Sequence, residues 1–322
     1  MRSHTPVLLK EVTEFLAPMP GKKYIDATLG MGGHSKELLR LGAKVLGIDR
    51  DSSVIPDVIR DPVLDSRLRG NNMLVVAGNF SDLKAIAEKN AYTDVDGILF
   101  DLGLGSHQLD DGNRGFSFQN EGPLDMRFNQ KSEVGDRKSE TAAQIVNFYP
   151  EKELIRIFYK YGEEKRFGKR VSRAILIRRK EGGIETTTEL FEIIKHALPG
   201  KLRFKTGDTA RKIFQALRIE VNRELENLQK GLQQALTLLR DGGRLVVISF
   251  HSLEDRTVKQ FFALHSKDCV CPPSFPVCVC DARASLRILT KKPIMAQAEE
   301  IKINSRAASA KLRCAERIQV NN

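Results

Sequence analysis

The stretch YIDATLGMGGHS at residues 24–35, followed by KVLGID at 44–49, decides the fold of this 322-residue chain. Tyr24 to Ala27 reads as a short strand that runs into a glycine-rich turn. Ser35 to Leu41 then has helical spacing in Leu38, Leu39 and Leu41, and Lys44 to Ile48 is a second strand ending at Asp49. Strand, glycine turn, helix, strand and terminal acid, in that order, describe a nucleoside pocket. Gly30, Gly32 and Gly33 let the backbone approach a ligand closely, and an acid about 20 positions further on can take both ribose hydroxyls. Ser35 stands where a third glycine would complete G-x-G-x-x-G, so a cofactor without phosphates fits better than a dinucleotide.

Working outward, Met73 to Ala77 and Gly97 to Phe100 are two more short apolar runs, ending at Gly78-Asn79-Phe80 and at Asp101. Gly242-Gly243 is read as the end of a helix, and Arg244 to Phe250 as the strand where the sheet resumes. Alternating strands and helices build a parallel sheet covered on both faces, which makes the fold class α/β. Between them, about Asp110 to Lys212 contains no clear strand but several amphipathic helical patterns, such as Glu153 to Lys160 and Lys169 to Ile177. The domain reading is therefore 1–109 with 213–322 for the sheet, and 110–212 for an inserted all-helical domain.

The chain carries a formal charge of +11, and residues 151–220 hold 18 Lys and Arg against 10 Asp and Glu. That surplus points to a polyanionic partner. Arg166, Lys169, Arg170 and Arg173 recur at three to four residues, forming a positive stripe while Val171, Ile175 and Leu176 face inward. Lys201, Arg203, Lys205, Arg211 and Lys212 add to the same field. No apolar run approaches the roughly 20 residues needed to cross a bilayer, and MRSHTPVLLKEV lacks a signal-peptide core, so a cytoplasmic protein without a membrane partner is expected. Cys269, Cys271, Cys278 and Cys280 crowd onto one short loop; tetrahedral zinc is conceivable, but paired C-x-C departs from C-x2-4-C spacing, and four unligated reduced thiols or a redox-labile loop are expected in place of a metal site.

Asp101 begins DLGLGSHQLDD at the carboxyl end of the fourth strand, where ligands of open α/β sheets collect. An oxygen acceptor there suits a reaction at a base NH2, whose delocalised lone pair must be held and aimed.

The long segments make a specific resemblance. HTPVLLKEV from His4, IDATLGMGGHS from Ile25, DGILFDLG from Asp96 and QLDDGNRGFSFQNEGPLDMRF from Gln108 to Phe128 resemble the 16S ribosomal RNA cytosine-N4 methyltransferase family, the bacterial MraW type. YGEEKRFGKRVSRAI from Tyr161, TARKIFQALRIEVNREL from Thr209, GGRLVVISFHSLEDRTVK from Gly242 and NSRAASAKLRCAER extend the match over nearly the whole chain. The resemblance implies a Rossmann-like class I sheet and S-adenosylmethionine as methyl donor, used for N4-methylation of one cytidine in the 16S RNA of the small ribosomal subunit. It also implies a donor cradled by Gly32, Gly33 and His34, its ribose on Asp49 and its adenine beside Phe80. Asp101 and Gln108 complete that pocket, with Asp101 as the catalytic residue.

Two departures from the family pattern stand out. Gly105, Ser106 and His107 replace two serines and a proline, which loosens the turn carrying Gln108. Residues 51–72 form a longer segment, broken by Pro56 and Pro62 and read as a surface insertion. Competing functions are a DNA or other RNA amino methyltransferase, a nicotinamide-dependent oxidoreductase, and a non-catalytic RNA-binding assembly factor; a homodimer is compatible with the sequence.

Overall fold

The computed structural model describes residues 6–51, 72–105, 111–129, 140–272, 275, 277–280 and 282–319. Its elements fall into two compact units, Met1–Gly103 with Leu225–Asn322, and Leu104–Glu224.

The first unit opens with α1 (Leu9–Leu16), which buries Val12 and Leu16 one helical turn apart. β1 (Lys23–Asp26), α2 (Gly33–Arg40), β2 (Lys44–Asp49), β3 (Met73–Ala77), α3 (Leu83–Lys89) and β4 (Val95–Asp101) follow. Among the described residues the second unit supplies five α-helices, α4 (Ala142–Phe148), α5 (Glu151–Lys160), α6 (Gly168–Arg178), α7 (Thr187–Ala197) and α8 (Thr206–Asn222). The chain returns through α9 (Glu224–Leu238), β5 (Leu239–Ser249), α10 (Ser252–His265), β6 (Leu286–Ile288), α11 (Ala298–Ile303) and β7 (Lys311–Arg317).

Among the described residues seven strands form one sheet in the order β3-β2-β1-β4-β5-β7-β6. β3 through β5 run parallel, and β7 lies antiparallel to both β5 and β6. This is the Rossmann-like α/β sheet the sequence leads one to expect. Strand order reverses between β1 and β4, so the carboxyl ends of these two strands flank the crevice where such sheets bind ligands.

Side-chain alternation explains why the sheet is covered twice. Leu46, Ile98, Phe100, Leu245 and Val247 point to one face and pack with Leu83, Leu228, Leu232, Val258 and Phe262 of α3, α9 and α10. Val45, Leu99, Val246 and Ile248, their immediate neighbours, point to the other and pack with Val12, Leu16, Leu38 and Leu39 of α1 and α2.

Two expectations need correction. The glycine pair does not terminate a helix: α9 ends at Leu238, and Gly242-Gly243 lie within β5, where Gly242 is left-handed at φ +78° and the register against β4 shifts near Val95 and Gly97. β7 was not anticipated: KLRCAER interleaves charged residues with Leu312, Cys314 and Ala315. Its charges are absorbed locally: the buried Arg313 grips Asp255 of α10 with Nε 2.6 Å from Oδ1, and Glu316 pairs with Arg244.

In the second unit the strand content among the described residues is a single bridge, Pro123 to Thr186. α4 and α7 each start on a threonine capping box, Thr141 with Gln144 and Thr186 with Glu189. The expected domain limit at Lys212 falls inside α8, which buries Ile213, Phe214, Leu217 and Ile219 as one continuous helix. The segment read as an insertion lies mostly outside the described residues.

Replacing Arg313 by Ala leaves Asp255 in a largely buried place without its main cation. Urea denaturation should show a loss of about 3 kcal/mol, with α10 and β7 the first elements to lose amide protection.

Candidate active site

The carboxyl ends of β1, β2 and β4 each carry an aspartate, and each is held differently. Asp26, at the end of β1, is 1% exposed, and burial raises its pKa above the ordinary carboxyl value. Its Oδ2 accepts the Ser35 hydroxyl at 2.7 Å and its Oδ1 the Thr28 amide at 3.3 Å. These bonds close the glycine turn onto the start of α2. Ser35, which looked like a missing third glycine, is the donor that makes the closure possible.

Within that turn Gly32 adopts φ +73°, a left-handed conformation that a side chain resists. Gly33 is a glycine for another reason: a Cβ there would collide with the Pro6 ring. The turn is thus packed from behind by the N-terminal segment.

Asp49, at the end of β2, reaches back to the turn. Its Oδ2 accepts the Gly30 amide at 2.7 Å and its Oδ1 the Asp51 amide at 2.8 Å. Desolvation pushes its pKa up to about 6, against the opposing effect of these two amides. Each oxygen retains lone-pair capacity for a further donor, the arrangement a vicinal diol requires.

Asp101 ends β4. Its backbone amide donates to Thr28 Oγ1 at 2.6 Å, which ties the strand end to the same turn. Its Oδ2 lies 3.5 Å from His34 Nε2, too long for a strong hydrogen bond. Both ring nitrogens of His34 and Asp101 Oδ1 are buried without a hydrogen-bond partner among the described residues. Buried polar atoms are rarely left so, and a cluster of them at one strand end marks a place shaped for a ligand.

Phe80 follows β3 in a short turn and meets Phe100 edge-on, with ring centroids 5.5 Å apart. It is half-buried and also lies against Gly231 of α9, where a Cβ would come within 2.9 Å of its ring. Gln108 lies outside the described residues. The structure therefore gathers Gly32, Gly33, His34, Asp49 and Asp101 around one turn, and sets Phe80 at the neighbouring strand end. Asp26 and Thr28 were not singled out from the sequence, and Ser35 was noted there only as the residue in place of a third glycine. The signal was available in Asp26, a charged residue closing an apolar strand, which must find donors nearby if it is buried.

Two of the long motifs serve the scaffold. In SFHSLEDR, His251 and Glu254 form the capping box of α10, and Glu254 Oε2 also accepts the Phe250 amide at 2.9 Å. In RGFSFQNEGPLDMRF, Asp125 and Arg127 form a two-pronged pair at 2.7 and 2.8 Å, and Asn222 Nδ2 donates to the Met126 carbonyl at 2.7 Å.

On the second unit, Arg166, Lys169, Arg170 and Arg173 are exposed while Val171 and Ile175 are fully buried. Arg173 is paired with Glu151 at 3.2 Å; Lys169 and Arg170 make no ion pair among the described residues. A second basic group surrounds Phe204, which is 79% exposed within Gly200–Lys205 and has the Lys205 ammonium 5.6 Å from its ring centre. Lys201 and Arg203 flank it. No helix among the described residues is long and apolar enough to cross a membrane.

Comparison with known proteins adds the following. The model of the MraW methylase family matches residues 1–318. The ribosomal RNA small subunit methyltransferase H of Carboxydothermus hydrogenoformans is 47% identical over 319 residues, covering 98% of both chains. The protein of the same name from Thermomicrobium roseum is 50% identical, over 98% of this chain and 94% of that one. Its namesake from Heliobacterium mobile is 46% identical over 98% and 99%.

The raised pKa of Asp49 makes a signed prediction. The carboxylate is ionised above about 6 and has lone pairs free to accept further donors; below that it is neutral and loses acceptor capacity. Affinity for S-adenosylhomocysteine, followed by calorimetry, should be level above about pH 7 and fall by up to about tenfold per pH unit below the Asp49 pKa. Asp49→Asn should bind weakly at every pH, with that slope removed.

Proposed function

The chain belongs to the MraW methylase family and is an S-adenosylmethionine-dependent methyltransferase, and from that premise we propose that it methylates the exocyclic N4 of one cytidine in the 16S RNA of the small ribosomal subunit, in the cytoplasm. The observation that carries the reading is Asp101 Oδ1, buried at the end of β4 with no hydrogen-bond partner among the described residues. An amine N–H is a donor such an oxygen can hold.

The residues at the strand ends fit the donor. Asp49 offers two partly used carboxylate oxygens to its ribose, and the turn Leu29–Gly33 leaves room for its amino-acid end. Phe80 presents an aromatic edge beside the adenine position. When bound, S-adenosylmethionine supplies a methyl group already activated by the sulfonium, so no further electrophile is required of the protein.

What remains for the chain is alignment. The N4 lone pair of cytosine is delocalised into the ring and is a poor nucleophile until one N–H is held. Asp101 Oδ1 accepts that N–H and turns the lone pair toward the methyl. The Thr28 hydroxyl keeps the strand end from shifting through its bond to the Asp101 amide, and His34 borders the other carboxylate oxygen. As the nitrogen gains positive charge, the Asp101 carboxylate stabilises it before a proton is lost to solvent.

RNA recognition rests on the second unit. Lys169, Arg170, Lys201 and Arg203 offer exposed cations for phosphates, and Phe204 offers a face for a base released from its stack. These contacts hold the RNA, while access of a single cytidine to the strand ends requires that base to leave its neighbours.

The decisive experiment maps N4-methylcytidine in 16S RNA from cells with and without the protein; its unchanged presence in the deletion strain would sink the proposal. Methyl transfer to small subunits but not to duplex DNA separates this reading from a DNA enzyme. Asp101→Ala should lower kcat by at least about 100-fold while weakening S-adenosylhomocysteine binding far less. Lys201→Glu combined with Arg203→Glu should raise KM for the RNA substrate and reduce the salt slope of binding by about two.

A further inference from the structure

Four cysteines stand apart from the methylation machinery, on the connector between α10 and β6. Cys269, Cys271, Cys278 and Cys280 form two C-x-C pairs separated by six residues. The fold brings all four Sγ atoms within 4.8 Å of one another. Cys280 Sγ is 3.8 Å from Cys269 Sγ and 3.6 Å from Cys278 Sγ. Tetrahedral zinc with bonds of about 2.3 Å to sulfur requires sulfurs about 3.8 Å apart. A disulfide would bring a pair to about 2.05 Å.

Backbone amides complete the arrangement reciprocally. The amide of Val270, inside the first pair, points at Cys280 Sγ at 3.3 Å, and that of Val279, inside the second, points at Cys271 Sγ at 3.4 Å. Such donors orient thiolates around a cation and moderate their charge.

Packing does not explain the convergence. The apolar residues of the same loop face solvent: Val270 is 45% exposed, Phe275 50%, Val277 71% and Val279 72%. A segment that buries so little has no core to gather its sulfurs and needs a staple.

We propose that these four cysteines bind one zinc ion in a closed structural site. An all-sulfur tetrahedral set selects zinc or iron over magnesium and calcium, which take oxygen ligands. With four protein ligands no coordination position is left for water or substrate, so the ion clamps the connector and takes no part in methyl transfer. The C-x-C spacing, which argued against a metal when read along the chain, loses its force because the fold brings the four sulfurs within 4.8 Å of one another.

The test uses the full-length protein, purified without a polyhistidine tag and without chelator. Elemental analysis should find one zinc per chain after dialysis. The four loop thiols should resist a disulfide reagent until a mercurial displaces the metal. Exchange for cobalt should produce thiolate-to-metal charge-transfer bands and the intense visible bands of a tetrahedral site. Cys278→Ser with Cys280→Ser should lose the zinc while keeping S-adenosylhomocysteine affinity, which shows that the sheet is intact. If that variant does not fold, the cobalt spectrum and thiol titration of the unaltered chain decide alone. Four freely reactive thiols without metal, two disulfides in the non-reduced mass spectrum, or stoichiometric iron in place of zinc would each overturn the proposal.

Discussion

Burying a carboxylate strips it of hydration, and it must be given donors in return or be left to wait for them. Three aspartates at the ends of β1, β2 and β4 meet this constraint in three ways, and the site follows from the differences. Asp26 is supplied from within, by Ser35 and Thr28, and so becomes the latch of the turn. Asp49 is supplied by two backbone amides and keeps acceptor capacity for a diol. Asp101 retains an oxygen that nothing among the described residues satisfies. The first is structure, the second suits recognition, and the third suits chemistry.

The same economy of donors shapes the rest of the chain. Charged residues that look like surface in the sequence are used as internal pins. Arg313 of β7 fastens α10 through Asp255, and Glu254 caps that helix while holding the chain at Phe250. The two most recognisable motifs outside the turn, SFHSLEDR and RGFSFQNEGPLDMRF, spend many of their polar side chains on backbone groups and on each other.

The two units divide the proposed labour along chemical lines. The sheet unit holds small, buried acceptors through fixed hydrogen bonds, as a methyl transfer that depends on alignment requires. The helical unit presents exposed cations with the exposed Phe204 ring among them, as phosphates and splayed bases met at long range and through water require. A metal-clamped connector would add a third device, local rigidity where no core can be built.

Much of this was legible in the sequence. The β1 to β4 strands, the glycine turn, the acid at the end of β2 and the helical insertion all announce themselves through periodicity and spacing, since apolar strands buried on both faces can hardly be written otherwise. Gly32, Gly33, His34, Asp49 and Asp101 converge as their places in that order imply. β7 was hidden because its charges are neutralised only by partners far away in the chain, and the limits of the helical unit were blurred because α8 carries one amphipathic pattern across the expected boundary. The role of Ser35 and the meeting of four cysteine sulfurs belong to tertiary structure alone. Residue order determines which groups are present and how the backbone repeats; which donor reaches which acceptor depends on distances that exist only after the sheet has closed.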